Sequence, residues 1–241
     1  PRDGSTPTLL YGYGGFEISL TPSYSPGVGA AWLEKGYAYV QANIRGGGEY
    51  GPKWHQAALK QNRNKAYEDF EAVAQDLIAR GVTSPSKLGC QGGSNGGLLT
   101  GNMLARPSAG KKLFGAIVCQ VPLLDMKRFN ILLAGASWMG EYGNPDTDDW
   151  DFLQAYSPYH NVDADTSYPP FLCTTSTRDD RVHPGHARKL VRKLLDLGKG
   201  ETTYYYENIE GGHGGAANNK QRAFMSTLAY DFLEQQLAGG D

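Results

Sequence analysis

Short apolar runs alternate with amphipathic stretches along almost the whole chain, and this alternation restricts the fold more than any other feature of the sequence. Runs at Thr8–Gly12, Tyr37–Ile44, Lys87–Gln91, Phe114–Val121, Pro170–Thr175 and Thr202–Glu207 read as strands. Between them, Pro26–Lys35, Ala66–Arg80, Gly96–Ala105, Pro184–Leu197 and Asn219–Leu237 read as helices. In the second of these, Phe70, Val73, Ala74, Leu77 and Ile78 recur at helical spacing, and Gly81 stops the pattern. A βαβα succession predicts an α/β fold with a mostly parallel, doubly wound sheet and helices on both faces. The stretch Asp125–Tyr168 breaks the rhythm; rich in Trp, Tyr, Asp and Asn, it reads as an inserted helical cap or loop. No repeat, low-complexity tract or linker interrupts residues 1–241, so one domain is expected.

Composition narrows the function classes. A net charge of −2 on 241 residues gives no electrostatic pull towards nucleic acid or an anionic membrane. No apolar run approaches the ~18 residues that span a bilayer, and no signal peptide or lipidation motif is visible. Cys90, Cys119 and Cys173 each lie in a strand-like run; the odd count and the lack of metal spacing read as buried free thiols. That reading favours a reducing, cytoplasmic compartment, or a periplasmic one if a signal peptide has been removed. The chain opens at Pro1, as an excerpt or proteolytic fragment would.

Gly92-Gly93-Ser94-Asn95-Gly96 matches G-x-S-x-G between a predicted strand and a predicted helix, the context in which that motif is a nucleophile elbow. A serine there must occupy a sharp, strained turn that lifts its hydroxyl above the sheet, and flanking glycines let strand and helix close around it. The Asn95 amide then faces the developing oxyanion, reinforced by the helix dipole.

Serine needs a base, and the base needs an orienting acid, in the order Ser, Asp or Glu, His for this fold. Of five histidines (His55, His160, His183, His186, His213), only the last three can follow an acid placed after a late strand. His213 sits among four glycines in Glu210–Gly215; with no side chains beside it to pack against, it is not a packing residue, and its loop is expected to approach another backbone closely. His183 and His186 open a helix and read as capping or surface residues. Asp179 and Asp180 follow a strand end, where such sheets place site residues, and spacing does not choose between them. A solvated turn paired with Arg178 and Arg181 is the plainer reading of the same two acids.

Two other patterns compete. Gly46-Gly47-Gly48-Glu49-Tyr50-Gly51 matches G-x-G-x-x-G after a strand, with Glu68 and Asp69 near the spacing of a ribose-binding acid. Pro52 and a long polar stretch delay the next helix, which argues against a nucleotide cofactor. Asp179, Asp180, His183 and His186 match no standard metal spacing, so neither metal nor other cofactor is expected.

Taken together, Tyr11-Gly12-Tyr13-Gly14-Gly15-Phe16, Asn43–Gly51, Gly92–Gly97, Asp179-Asp180-Arg181-Val182 and Gly212-His213-Gly214 resemble the catalytic domain of the prolyl oligopeptidase family of serine peptidases, in family order and over nearly the whole chain. The resemblance implies an α/β-hydrolase fold. It implies Ser94 as nucleophile, Asp179 as triad acid and His213 as base, with Tyr13 donating its phenol beside the Asn95 amide. It implies Arg181 binding a substrate carbonyl, and Trp138 stacking on a substrate proline between Phe16, Leu123, Tyr142 and Val182. The basic-specific branch, oligopeptidase B, places acids in the Trp138 region where Trp138 and Gly140 stand here, so the resemblance favours cleavage after proline in short peptides. The family's β-propeller, which screens substrates by size, is absent from this chain; Leu123 and Met139–Glu141 also depart from the family pattern. The same triad serves an esterase or an acyl-peptide or dipeptidyl hydrolase, and a truncated fragment would be an inactive scaffold.

Overall fold

A computed structural model describes residues 2–239. Among them, β1 (Thr8–Tyr11), β2 (Ala38–Gln41), β3 (Leu88–Gly93), β4 (Ala116–Gln120), β5 (Phe171–Ser176) and β6 (Thr203–Asn208) form one sheet in the order β2-β1-β3-β4-β5-β6. Every pairing is parallel. The helices are α1 (Pro26–Ala31), α2 (Pro52–Gln56), α3 (Asn64–Ala79), α4 (Asn95–Ala105), α5 (Met139–Tyr142), α6 (Trp150–Leu153), α7 (Pro158–Asn161), α8 (Gly185–Asp196) and α9 (Asn219–Leu237).

The sheet separates two apolar cores, and strand alternation assigns residues to them. Leu10, Ile117, Phe171 and Cys173 face the larger core with Phe70, Leu98, Leu99 and Leu190. Leu9, Ala116, Val118 and Leu172 face the smaller one with Trp32, Phe232, Leu233 and Leu237. Successive residues of one strand therefore serve opposite faces, and near-continuous apolar runs are what a sheet covered on both sides requires. Phe70 of α3 lies 6.2 Å from the ring of Phe114 and is fully buried, so truncating it to alanine costs about 3–5 kcal/mol.

Several elements are shorter than the apolar pattern predicts, β4 among them at five residues, and in two the cause is visible. The strand expected over Tyr37–Ile44 is four residues long: Ala42 N–H still bonds Tyr11 O at 2.9 Å, after which Asn43 turns to donate to Leu20 O at 2.7 Å. The helix expected over Pro26–Lys35 breaks at Trp32, whose buried indole donates to Ala38 O at 2.7 Å, and continues as a 3-10 turn. The segment Asp125–Tyr168 is a cap of short helical turns, as predicted. It is pinned beside the sheet by a residue read from sequence as a surface or capping histidine. His186 is instead buried, and its Nδ1 accepts the N–H groups of Leu124 (3.2 Å) and Asp125 (3.1 Å). Burial pushes its pKa down to about 4, which keeps the imidazole neutral and able to accept. His183 does cap locally, accepting from Gly185 N–H at 2.9 Å.

Candidate active site

Strand order reverses between β1 and β3, and a crevice outside the strand C-termini at such a point is where open α/β sheets bind ligands. The Tyr13 loop leaves β1 there and the Ser94 turn leaves β3. Ser94 adopts φ 60°, ψ −116°, in the left-handed half of backbone space that a side chain disfavours. The turn is held by Ser94 N–H to Gln120 O (2.9 Å) and by Gly97 and Leu98 N–H to Ser94 O (2.9 and 3.1 Å). Glycine is required around it: a Cβ on Gly92 would lie 2.3 Å from Gly96 O. A Cβ on Gly96 would lie 2.8 Å from Gly12 O and 3.6 Å from Tyr13 Cδ2, so the Tyr13 ring packs beside the first turn of α4. Asn95 is the first residue of α4, and its N–H is one of the orphan donors of the helix start.

The candidate acid and the candidate base meet beyond β5 and β6. His213 Nδ1 bonds Asp179 Oδ2 at 2.8 Å and Oδ1 at 3.0 Å. Asp179 Oδ1 also accepts Arg181 and Val182 N–H, both at 2.9 Å. These bonds fix a buried carboxylate, while Asp180 is exposed and makes none of them, a choice that spacing had left open. Asn208, missed in the sequence, anchors the histidine loop: its Oδ1 accepts Glu210 N–H (3.0 Å) and Gly211 N–H (2.6 Å). An Asn at a strand end followed by glycines is the turn signal that could have found it. The loop approaches another backbone at Gly212, whose Cβ position lies 3.7 Å from Arg178 O. Gly211 presses on Ala216 of the same loop, with a Cβ position 2.8 Å from its nitrogen, whereas Gly214 and Gly215 face open space. His213 and Gly93 line one cavity of about 220 Å³, so the imidazole loop and the strand end that carries Ser94 open onto the same space. Among the described residues, Ser94 Oγ makes no hydrogen bond to the imidazole; such bonds often tighten only when substrate arrives.

The remaining sequence candidates gather on the cap side. The Phe16 ring meets Tyr142 edge-on at 5.6 Å. Trp138 is half-buried, and Leu123, Tyr142 and Val182 are buried in the same core. Arg181 is exposed. Burial raises the Tyr13 phenol above its ordinary pKa, so its hydroxyl stays a neutral donor.

The competing patterns have structural uses. Gly46 packs under Gly14, where a Cβ would lie 2.4 Å from Gly14 O, so this glycine run seats the Tyr13 loop. Asp69, the candidate ribose acid, instead grips Arg45 through Nε (2.8 Å), Nη2 (2.6 Å) and the backbone N–H (3.0 Å).

Sequence reasoning also passed over Arg63, which is fully buried between these parts. It donates to Gly14 O (2.8 Å), Asn95 Oδ1 (2.5 Å) and Glu141 Oε1 (3.0 Å). An arginine in a polar stretch ahead of a helix gives no signal of burial; only its tertiary partners do.

A family model described as the prolyl oligopeptidase family matches residues 23–240. The chain belongs to the prolyl oligopeptidase family. It is 56% identical over 237 residues to a protein of Sinorhizobium fredii named "Uncharacterized peptidase y4nA", covering 98% of this chain and 32% of that one. It is 45% identical over 196 residues to the prolyl endopeptidase of Elizabethkingia miricola, covering 80% of this chain and 27% of that one. A solved structure of a post-proline cleaving enzyme from Rickettsia typhi superposes with a TM-score of 0.92 at 40% identity, over 99% of this chain and 34% of that one. This prolyl oligopeptidase family chain thus spans about a third of the length of the curated relatives it matches. Its sheet and helices are those of an α/β-hydrolase domain. Among the described residues, no helix is long and apolar enough to cross a membrane.

Proposed function

We propose that this chain is the catalytic part of a serine peptidase that cleaves on the carboxyl side of proline in short peptides. The observation that carries the reading is the 2.8 Å bond from His213 to a buried Asp179, at the same rim of the sheet as a serine held at φ 60°. In that arrangement Asp179 fixes the imidazole with Nδ1–H towards itself and leaves Nε2 to act as base. Ser94 Oγ attacks the scissile carbonyl carbon and its proton passes to His213. The tetrahedral oxyanion takes hydrogen bonds from Tyr13 Oη and Asn95 N–H. His213 then returns the proton to the leaving amine, the C–N bond breaks, and an acyl-Ser94 ester remains. Water, deprotonated by the same imidazole, releases the acid.

Trp138 and Phe16 supply apolar ring faces for a proline side chain, which asks for contact and no hydrogen bond. Leu123, Tyr142 and Val182 close the pocket behind them, and the exposed Arg181 is free to take a substrate carbonyl. The relatives' greater length supports a further part of the full-length protein, a β-propeller, as the partner that limits substrate size.

The test compares a proline p-nitroanilide, an arginine p-nitroanilide and a p-nitrophenyl ester. The expected order is proline anilide well above arginine anilide, with both activities lost in Ser94→Ala. Ester turnover without any amide turnover would make the chain an esterase and end the peptidase reading.

A further inference from the structure

The loop that carries Tyr13 is a poor platform for a catalytic donor. Its neighbours Gly12, Gly14 and Gly15 contribute no side chains, and Phe16 and Glu17 both sit at φ 56°, a conformation that relaxes if nothing holds it. An oxyanion donor must stand within about 0.5 Å of its productive place to keep its effect. Something other than side-chain packing must therefore fix this loop.

The buried polar cluster beneath it does so atom by atom. Asn95 Nδ2 donates to Tyr13 O at 2.7 Å, joining the two residues that carry the proposed oxyanion donors. Asn95 Oδ1 is oriented by Arg63 Nη2 (2.5 Å) and Tyr142 Oη (2.7 Å). Arg63 Nη2 also holds Gly14 O, the carbonyl next to Tyr13. Glu141 Oε1 accepts both Arg63 Nη1 and the Phe16 N–H (2.9 Å), pinning the strained end of the loop. Its Oε2 bonds His55 Nε2 at 2.8 Å. Glu141 is 6% exposed and Arg63 0%. A buried ion pair is weak evidence of stabilisation, because desolvation offsets most of its attraction. Geometry is what this one visibly supplies.

We propose that Arg63 and Glu141 are positioning residues that set the Tyr13 phenol and the Asn95 amide as one oxyanion-binding unit. This inference rests on the reading of Ser94 and Tyr13 given under Proposed function. Because Glu141 lies in the cap beside Tyr142, the unit also couples the walls of the proline pocket to the place where charge develops.

A double-mutant cycle on the full chain tests the proposal, with kcat and KM measured on the proline p-nitroanilide. Tyr13→Phe alone should lower kcat by about 10²-fold. Glu141→Gln, which keeps the shape and removes the charge, should lower kcat by about 10²-fold with KM changed by less than about threefold, since the lost interaction matters in the transition state. In the Glu141→Gln background, Tyr13→Phe should cost less than about threefold further, because a displaced phenol has little left to lose. Losses that multiply would overturn the proposal, and so would a Glu141→Gln protein that melts lower but turns over normally. Should Glu141→Gln fail to fold, Arg63→Lys carries the same cycle: it keeps the charge but not the planar fork that reaches three acceptors. A Tyr13→Phe variant with full turnover would instead overturn the oxyanion reading itself, which separates the two failures.

Discussion

Two adjacent carboxylates, Asp179 and Asp180, differ in burial and in hydrogen bonding. Asp179 is 4% exposed and accepts two backbone N–H groups, and its two oxygens share the single Nδ1 of the His213 ring. Asp180 projects into solvent. A carboxylate so fixed can hold an imidazole in one tautomer, which a mobile surface acid cannot do. Asp179→Asn should therefore lower kcat by about 10⁴-fold on the proline anilide, whereas Asp180→Asn should stay within about threefold of the parent. Covalent labelling by a fluorophosphonate gives an independent check: rapid with Asp180→Asn, slow with Asp179→Asn and absent with Ser94→Ala.

The junction of β3 and α4 works only because strand, serine and helix fit within a few ångströms. A methyl group on Gly92 would overlap Gly96 O at 2.3 Å, a contact with backbone that no rotamer change relieves. Gly92→Ala should destabilise the protein by about 3 kcal/mol or more, read as a lowered midpoint in urea, and should lose activity even where it remains folded. Gly140→Ala is the control, since nothing lies within 4 Å of a Cβ there. The cap depends on a different device. Helix α8 presents a neutral imidazole to the backbone amides of Leu124 and Asp125, where the cap begins, a connection between elements far apart in sequence.

For the molecule as a whole, that imidazole links stability to pH. In the folded state its pKa is about 4, below the ~6.5 of a free histidine. Between those values the unfolded chain binds a proton that the folded one refuses, so stability falls as pH drops from about 6.5 to about 4 and the effect then levels off. The loss amounts to roughly 3 kcal/mol over that window. His186→Gln retains an acceptor and lacks the titration, so its urea midpoint should decline less over the same range. Equal declines in the two proteins would show that other groups carry the acid sensitivity.

The order of strands and helices, the elbow at Ser94, and the candidacy of His213 were all legible along the chain, because each depends on near neighbours: apolar period, turn glycines, and motif spacing. Local pattern fails where a residue's partners are distant. His186 looked like a helix-start surface histidine until the cap folded over it, and the strand at Tyr37–Ile44 looked longer until Asn43 found Leu20. Arg63 and Glu141 are 78 residues apart, and Arg63 lies 32 residues from Asn95. Desolvation decides that such groups must pair, and only the folded arrangement of β1, α4 and the cap decides with whom.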